Sequence, residues 1–269
     1  MLILTLMFML MLMLMRRLPT YTTSLERNSF MKRLAIVSGL FTSLMLALPA
    51  GAHQIWLQQD GKQAKLYFGE FGDNLREVSP GLLDKFVSPS AVLIGPQGDR
   101  TLELSKAANA FNLSASAGKG ESIVAEDAHY PVFENKHATP PTRTAWTPAA
   151  RLVTSQQAQE PRLALDIVPT GKPGQFKVSY KNAALPKAKV GLVTPSGWMK
   201  EAHSDAEGLV QFDLPWQGVY VAEVHHTDKT AGERDGKPYD IASFVTTLSL
   251  VQPKGLKALP AAPAATPNK

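Results

Sequence analysis

The sequence of 269 residues contains no cysteine. Disulfide bonds are therefore excluded, and so are metal sites and catalytic centres that need a thiolate. Methionine is also scarce over most of the chain, because eight of the nine methionines precede residue 53 and only Met199 follows it. A copper(I) carrier rich in thioether ligands is therefore not favoured, and a metal site in this protein would use nitrogen and oxygen donors.

The motifs of several enzyme classes are missing as well. The chain has no G-x-S-x-G nucleophile elbow, no H-E-x-x-H zinc helix, no phosphate-binding glycine loop and no dinucleotide-binding fingerprint. The sequence therefore lacks the common motifs of enzymes with a catalytic nucleophile, of zinc hydrolases and of nucleotide-binding enzymes. The sequence therefore favours a binding protein over an enzyme.

A leader, residues 1–52, precedes His53. Residues 31–52 open with two basic residues, continue with an apolar stretch and end with small residues in an A-x-A pattern. This order predicts a secretory signal peptide cleaved after Ala52, so that the mature protein begins at His53 in the periplasm. Translation from Met31 explains the methionine–leucine run at the start of the chain, with an N-terminal anchor as the alternative.

Most of the positive charge belongs to this leader. The whole chain has 28 basic and 23 acidic residues, of which the leader holds five and one, so residues 53–269 have 23 and 22 and a net charge of +1. A nearly neutral mature chain gives no electrostatic reason to expect a nucleic-acid partner.

After the leader, short apolar or alternating runs recur about every ten residues, between clusters of Gly, Pro, Asp and Asn, as in β-sandwiches and barrels. Helical patterns are weak. We therefore predict an all-β fold with two β-sandwich-like domains. The predicted strands are 55–58, 65–70, 91–94, 101–104, 122–125, 163–168, 175–180, 189–193, 198–203, 209–213, 218–226 and 244–251.

Composition suggests where the domains end. Residues 138–160 are rich in Pro, Thr, Ala and Gln and lack a sustained period, which predicts a linker or an irregular crossover. This segment would separate an N-terminal β domain, residues 53–137, from a C-terminal sandwich of about seven strands, residues 161–251. Residues 252–269 are rich in Pro, Ala and Lys and are predicted to be a disordered tail.

Histidine is the residue type that points to chemistry. Cleavage after Ala52 would free the α-amino group of His53, and a free α-amine has a reference pKa of about 7.7–8.0. A transition metal can displace its proton near neutral pH, and the amine and a ring nitrogen of one residue can then chelate Cu(II), Ni(II) or Co(II). The alternative interpretation is that the cleavage site precedes a histidine by coincidence.

A second imidazole would complete a nitrogen site, and strand alternation sorts the candidates. In the run 219–226, every second residue from Tyr220 is apolar until His226, so this face is predicted to meet the core. Glu223 and His225 then project together from the other face. A carboxylate and an imidazole two residues apart suit a metal, but they are also common on a solvated strand edge.

The other histidines give weaker signals. Glu201 and His203 share one side of the run 198–203, with the same two interpretations. His129 lies among carboxylates in the run E-D-A-H-Y and is either a ligand or an ordinary loop residue, and His137 on a predicted loop is the weakest candidate. The candidate metal ligands are His53, His129, His203, His225 and His226.

Several short motifs carry a family resemblance. The run H-Q-I-W-L from His53 and the run L-Y-F-G-E ending at Glu70 resemble the start of a bacterial periplasmic family of unknown-function domains, known mainly as the periplasmic component of cobalt/nickel uptake systems. In the second half, L-D-I-V-P, P-S-G, D-A-E-G and the pair His225-His226 resemble the sandwich of carboxypeptidase-regulatory and transthyretin-like domains. The resemblance implies an immunoglobulin- or transthyretin-like C-terminal sandwich and a metal-handling role outside the inner membrane.

Three functions follow as hypotheses. The leading one is a periplasmic protein that binds a divalent transition metal, nickel or cobalt with copper as an alternative, and assists a membrane uptake transporter. The second is a copper monooxygenase-like enzyme, since such enzymes also open with histidine and use a β-sandwich. The third is a metal-free periplasmic interaction module in which the histidines are incidental.

Overall fold

The computed structural model of the protein describes residues 53–61, 63–136 and 139–268. The predicted leader and His137 lie outside the described residues. Within them the fold is all-β and β-sandwich-like, as predicted, and its one helical element is a 3₁₀ helix at Leu82–Lys85. No helix in these ranges is long and apolar enough to cross a membrane.

Twenty strands make up the described part of the chain. They are β1 (Gln54–Asp60), β2 (Gln63–Glu70), β3 (Leu75–Arg76), β4 (Ser90–Gly95), β5 (Gly98–Leu102), β6 (Leu104–Lys106), β7 (Phe111–Leu113), β8 (Ser122–Glu126), β9 (Phe133–Asn135), β10 (Thr142–Val153), β11 (Leu165–Pro169), β12 (Gln175–Tyr180), β13 (Ala183–Ala184), β14 (Lys189–Val193), β15 (Met199–His203), β16 (Leu209–Gln211), β17 (Gly218–Asp228), β18 (Gly232–Arg234), β19 (Lys237–Tyr239) and β20 (Ile241–Gln252).

These strands form three main sheets. The central sheet has the strand order β15-β14-β17-β20-β10-β8-β4-β5, with β9 beside β10. The N-terminal sheet has the order β1-β2-β7-β6 with β3 beside β2, and the C-terminal sheet has the order β11-β12-β13 with β16 beside β12. Strands β18 and β19 form a separate hairpin. In the central sheet β10 and β20 run parallel, whereas the other neighbouring strands are antiparallel.

Two hydrophobic cores lie on opposite faces of the central sheet. The first lies against the N-terminal sheet and buries Phe68 of β2 with Trp146 of β10. The second lies against the C-terminal sheet and buries Phe176 of β12 with Leu248 of β20. Successive side chains of a strand point to opposite faces, so β20 gives Val245 to the first core and Leu248 to the second. The three sheets therefore stack as layers with the central sheet in the middle.

The predicted separation into two domains is wrong. All described residues belong to one compact unit, and both halves of the chain contribute strands to the central sheet. Residues 138–160, predicted to be a linker, contain the central strand β10, and residues 144–153 are all buried. A strand covered on both faces shows no alternation of polar and apolar residues. The alanines, threonines and proline of β10 also gave this segment the composition of a linker.

The predicted disorder of residues 252–269 also differs from the structure, which describes this tail as far as Asn268. Leu256 forms an isolated β-bridge with Trp216. Further along, the Ala262 N–H donates to the Pro195 carbonyl at 2.8 Å, and the Asn74 side-chain amide donates to the Ala262 carbonyl at 2.7 Å. Main-chain hydrogen bonds of this kind leave no pattern in the side-chain sequence.

A buried ion pair connects the central and C-terminal sheets. Arg151 of β10 and Asp166 of β11 are both inaccessible to solvent, and the arginine donates from Nη2 to Oδ2 at 2.6 Å and from Nε to Oδ1 at 3.0 Å. The same carboxylate accepts the backbone N–H groups of Arg162, Leu163 and Ile167. The charge is therefore fully satisfied, which is the condition under which a buried pair is tolerated.

Replacing Arg151 should test how much the fold depends on this pair. We expect Arg151→Met to lower the free energy of unfolding by about 3–5 kcal/mol, because it leaves the Asp166 carboxylate buried without a counter-charge. Urea denaturation measures this loss. Arg143→Met, at the exposed pair with Asp240, is the control and should cost far less. Equal losses in the two variants would contradict a special role for Arg151.

Candidate metal site at His53

Three strand ends meet at one corner of the N-terminal sheet. Strand β1 begins one residue after His53, β2 ends at Glu70, and β3 ends one residue before Glu77. Continuing the antiparallel registers puts His53 opposite Glu70 and Glu77 opposite Phe68. By strand alternation these side chains emerge on the face of the sheet that meets the first core.

The imidazole of His53 lies between two carboxylates. Its Nε2 is 2.6 Å from Oε1 of Glu77, and its Nδ1 is 3.5 Å from Oε1 of Glu70. The ring also packs on Phe68, with 5.0 Å between the ring centroids. The His53 side chain is one quarter exposed and that of Glu77 is fully buried. One nitrogen of the ring therefore faces the protein interior, and the other faces a more accessible carboxylate.

Glu77 is a buried carboxylate with few partners. Besides His53, it accepts hydrogen bonds from Asn268, whose backbone N–H reaches Oε2 at 3.1 Å and whose side-chain amide reaches Oε1 at 2.6 Å. A carboxylate removed from water is costly unless donors or a positive group satisfy it. The Asn268 contacts and the imidazole together supply these donors.

On the other side of the ring, Glu70 interacts with further carboxylates. Burial raises the pKa of Glu70, a hydrogen bond with Asp73 raises it further, and the charges of Asp73 and Glu223 act in the same direction, while His53 lowers it. Glu70, Asp73 and Glu223 are therefore a group of interacting carboxylates, and Glu70 is the one that faces Nδ1 of His53. A cation placed among them would relieve their mutual repulsion.

The packing of the sheets explains why Glu223 lies so close. The Thr247 hydroxyl of β20 donates to the Ile55 carbonyl of β1 at 2.7 Å, and Thr247 is the register partner of Glu223 on β17. His225 lies two residues further along the same face and contacts the Glu223 carboxylate. The predicted alternation of this strand is confirmed, because Tyr220 and its alternate neighbours are buried in the second core on the opposite face.

The remaining candidate histidines do not join this corner. His226 lies on the opposite face of β17 and packs on Tyr180, with 4.3 Å between ring centroids. His203 is exposed at the end of the edge strand β15. His129 is exposed in a loop and pairs with Asp235 at 3.0 Å. The predicted set of five ligands is thus distributed over separate places.

No three His, Asp or Glu side chains among the described residues are already arranged as a metal-ligand set. At His53 the two carboxylates contact different nitrogens of the ring, so the three side chains do not converge on one point where a metal ion could lie. Sequence reasoning did not identify Glu70 and Glu77 as site residues. The hairpin of β1 and β2 could have indicated Glu70, since His53 opens one strand and Glu70 closes its partner. Glu77 carries no comparable local signal.

His226 should affect stability rather than metal binding. Burial lowers its pKa, outweighing the opposing charge of Asp228, with Lys181 lowering it further. The folded state therefore binds a proton at this ring less readily than the unfolded chain does, and stability should fall as pH drops below about 6.5, where the unfolded chain gains a proton first. We expect His226→Phe to lose less stability than the parent between pH 7.5 and 5.5 in urea denaturation. His203→Gln, an exposed control, should follow the parent, and identical behaviour of all three would contradict this role.

Comparison with protein-family models, with curated proteins and with solved structures returned no match for this chain. The resemblance to the cobalt/nickel uptake family therefore stays a prediction. The corner formed by His53, Glu70 and Glu77 is the candidate functional site of the chain.

Proposed function

We propose that the mature chain, beginning at His53, is a periplasmic protein that binds a divalent transition-metal ion at its N-terminus. The observation that carries the proposal is the position of the His53 ring, with Nε2 on the buried Glu77 and Nδ1 towards the more exposed Glu70. The metal is the cargo of the protein.

The two ring nitrogens suit different tasks. Only Nδ1 is near enough to the α-amine of its own residue to close a six-membered chelate ring with a metal ion. Nε2 would then keep its proton and donate it to Glu77, the arrangement in which a carboxylate fixes the ring of a metal-ligating histidine. Glu70 lies on the Nδ1 side and can supply an oxygen ligand. This division of roles needs cleavage after Ala52, because an amide nitrogen does not bind the metal as an amine does.

The charges around this corner favour a cation. Glu70 faces Nδ1 of His53, the charges of Asp73 and Glu223 act on Glu70, and His225 contacts Glu223. Carboxylate and imidazole donors beside an amine form a nitrogen and oxygen set, which suits Ni(II), Co(II) or Cu(II) and not a soft monovalent ion. We propose nickel or cobalt as the cargo, with copper as the alternative, and delivery to a membrane uptake transporter, as the family resemblance implies.

Calorimetric titration of protein that begins at His53 tests the proposal directly. We expect Ni(II), Co(II) and Cu(II) to bind with one-to-one stoichiometry. The control carries one extra alanine before His53, which converts the amine to an amide and moves the charged terminus away. Its affinity should fall at least about a hundredfold, since the chelate is lost.

Equal and weak binding by the two proteins would remove His53 from the site and favour the metal-free interaction module. Oxidative turnover of the copper-loaded protein with ascorbate would instead favour the monooxygenase hypothesis. Tight binding without turnover is the result that the capture function requires.

The contribution of Glu70 can be measured separately. We expect Glu70→Gln to weaken metal binding about tenfold, because the amide keeps the shape of the side chain but loses the negative charge beside Nδ1. Glu201→Gln is the matched control, since Glu201 pairs with Lys189 at 2.7 Å on the sheet edge. Unchanged binding by Glu70→Gln, or an equal loss in the control, would exclude Glu70 as a ligand.

A further inference from the structure

The C-terminal tail follows the surface back to the His53 corner. Its hydrogen bonds reach Pro195 after β14 and Asn74 in the turn before β3: Ala262 N–H to Pro195 O at 2.8 Å, and Ala265 N–H to Asn74 O at 3.3 Å. Asn74 also donates from its side chain to the Ala262 carbonyl. Because Asn74 lies three residues before Glu77, these bonds hold the tail beside the candidate site.

The tail reaches the site at Asn268. This residue donates to both oxygens of Glu77, from its backbone N–H at 3.1 Å and from its side-chain amide at 2.6 Å. The amide nitrogen also lies 3.2 Å from Nε2 of His53. The side-chain amide of this exposed residue, in a Pro/Ala-rich segment, thus contacts two residues of the candidate site.

We propose that Asn268 is a positioning residue of the metal site, and that the tail, residues 253–268, is a functional part of it. The inference rests on the proposed function, because it assigns Asn268 a role at the same metal. It acts through Glu77, which in turn orients the His53 ring, and it does not itself touch the metal ion.

The physical reason is the burial of Glu77. Its carboxylate has no access to water, so the acceptor positions that His53 does not use need protein donors. Asn268 supplies two of them and thereby holds both oxygens in place. With these oxygens fixed, the hydrogen bond between Nε2 of His53 and Glu77 has one favoured direction. This direction sets the orientation of the ring, with Nδ1 facing Glu70. Outer partners of this kind commonly change metal affinity about 10–100-fold.

The test uses protein that begins at His53 and compares Asn268→Ala with Thr266→Ala, an exposed residue of the same tail. We expect Asn268→Ala to weaken Ni(II) and Cu(II) binding about tenfold and to alter the copper EPR spectrum, because the ring loses its fixed orientation. Asn268→Asp should weaken binding more than alanine does at pH 7, since a second carboxylate would face Glu77. Thr266→Ala should match the parent in both measurements.

Hydrogen exchange supplies a readout that needs no variant. If the tail is part of the site, the backbone amides of Ala262, Ala265 and Asn268 should keep or gain protection from hydrogen exchange when the metal binds. Loss of this protection, or parent affinity and spectrum in Asn268→Ala, would overturn the role of Asn268 while leaving His53 as the ligand. Absence of metal binding by the parent would instead overturn the proposed function, and the inference with it.

Discussion

The parallel pairing of β10 with β20 is the constraint on which the rest of the structure depends. The two strands have twelve residues each and lie side by side in the middle of the central sheet. One lies near the middle of the 269-residue sequence and the other near its end, so their main-chain hydrogen bonds join the earlier and the later described strands into one compact unit. Each strand is covered on both faces, and the two cores are therefore built on the same pair of strands.

The position of the candidate site follows from this pairing. Strand β20 carries Thr247, whose hydroxyl binds the β1 backbone at Ile55, and on its other side β20 pairs with β17. Glu70, which faces the His53 ring, is thereby brought close enough to Glu223 of β17 for their charges to interact, although Glu223 lies 153 positions further along the sequence. Neither the N-terminal sheet alone nor β17 alone would bring these negative charges together at Glu70.

Two buried carboxylates show how differently the fold treats charge. Asp166 accepts two hydrogen bonds from Arg151 and three from backbone N–H groups, and the pair thereby connects the central and C-terminal sheets. Among the residues that the structure describes, the side-chain partners of Glu77 are the His53 imidazole and Asn268 of the tail. A carboxylate held by an imidazole suits a ligand-orienting role, because the other ring nitrogen stays on the accessible side. Because of this contrast in partners, Glu77 belongs to the candidate site whereas Asp166 stabilises the fold.

The sequence by itself determined the all-β class, most of the regular strands and the two faces of β17, because alternation is local and one face of such a strand meets a core. It also indicated His53, although the role of that residue depends on cleavage after Ala52. It did not reveal β10, since a strand buried on both faces loses its alternation. Only the tertiary structure decided that Glu70, Glu77 and Asn268 surround His53 while His129, His203 and His226 lie elsewhere. The reason is that their proximity comes from strand register, sheet stacking and long-range backbone hydrogen bonds, none of which is encoded in the residues next to each ligand.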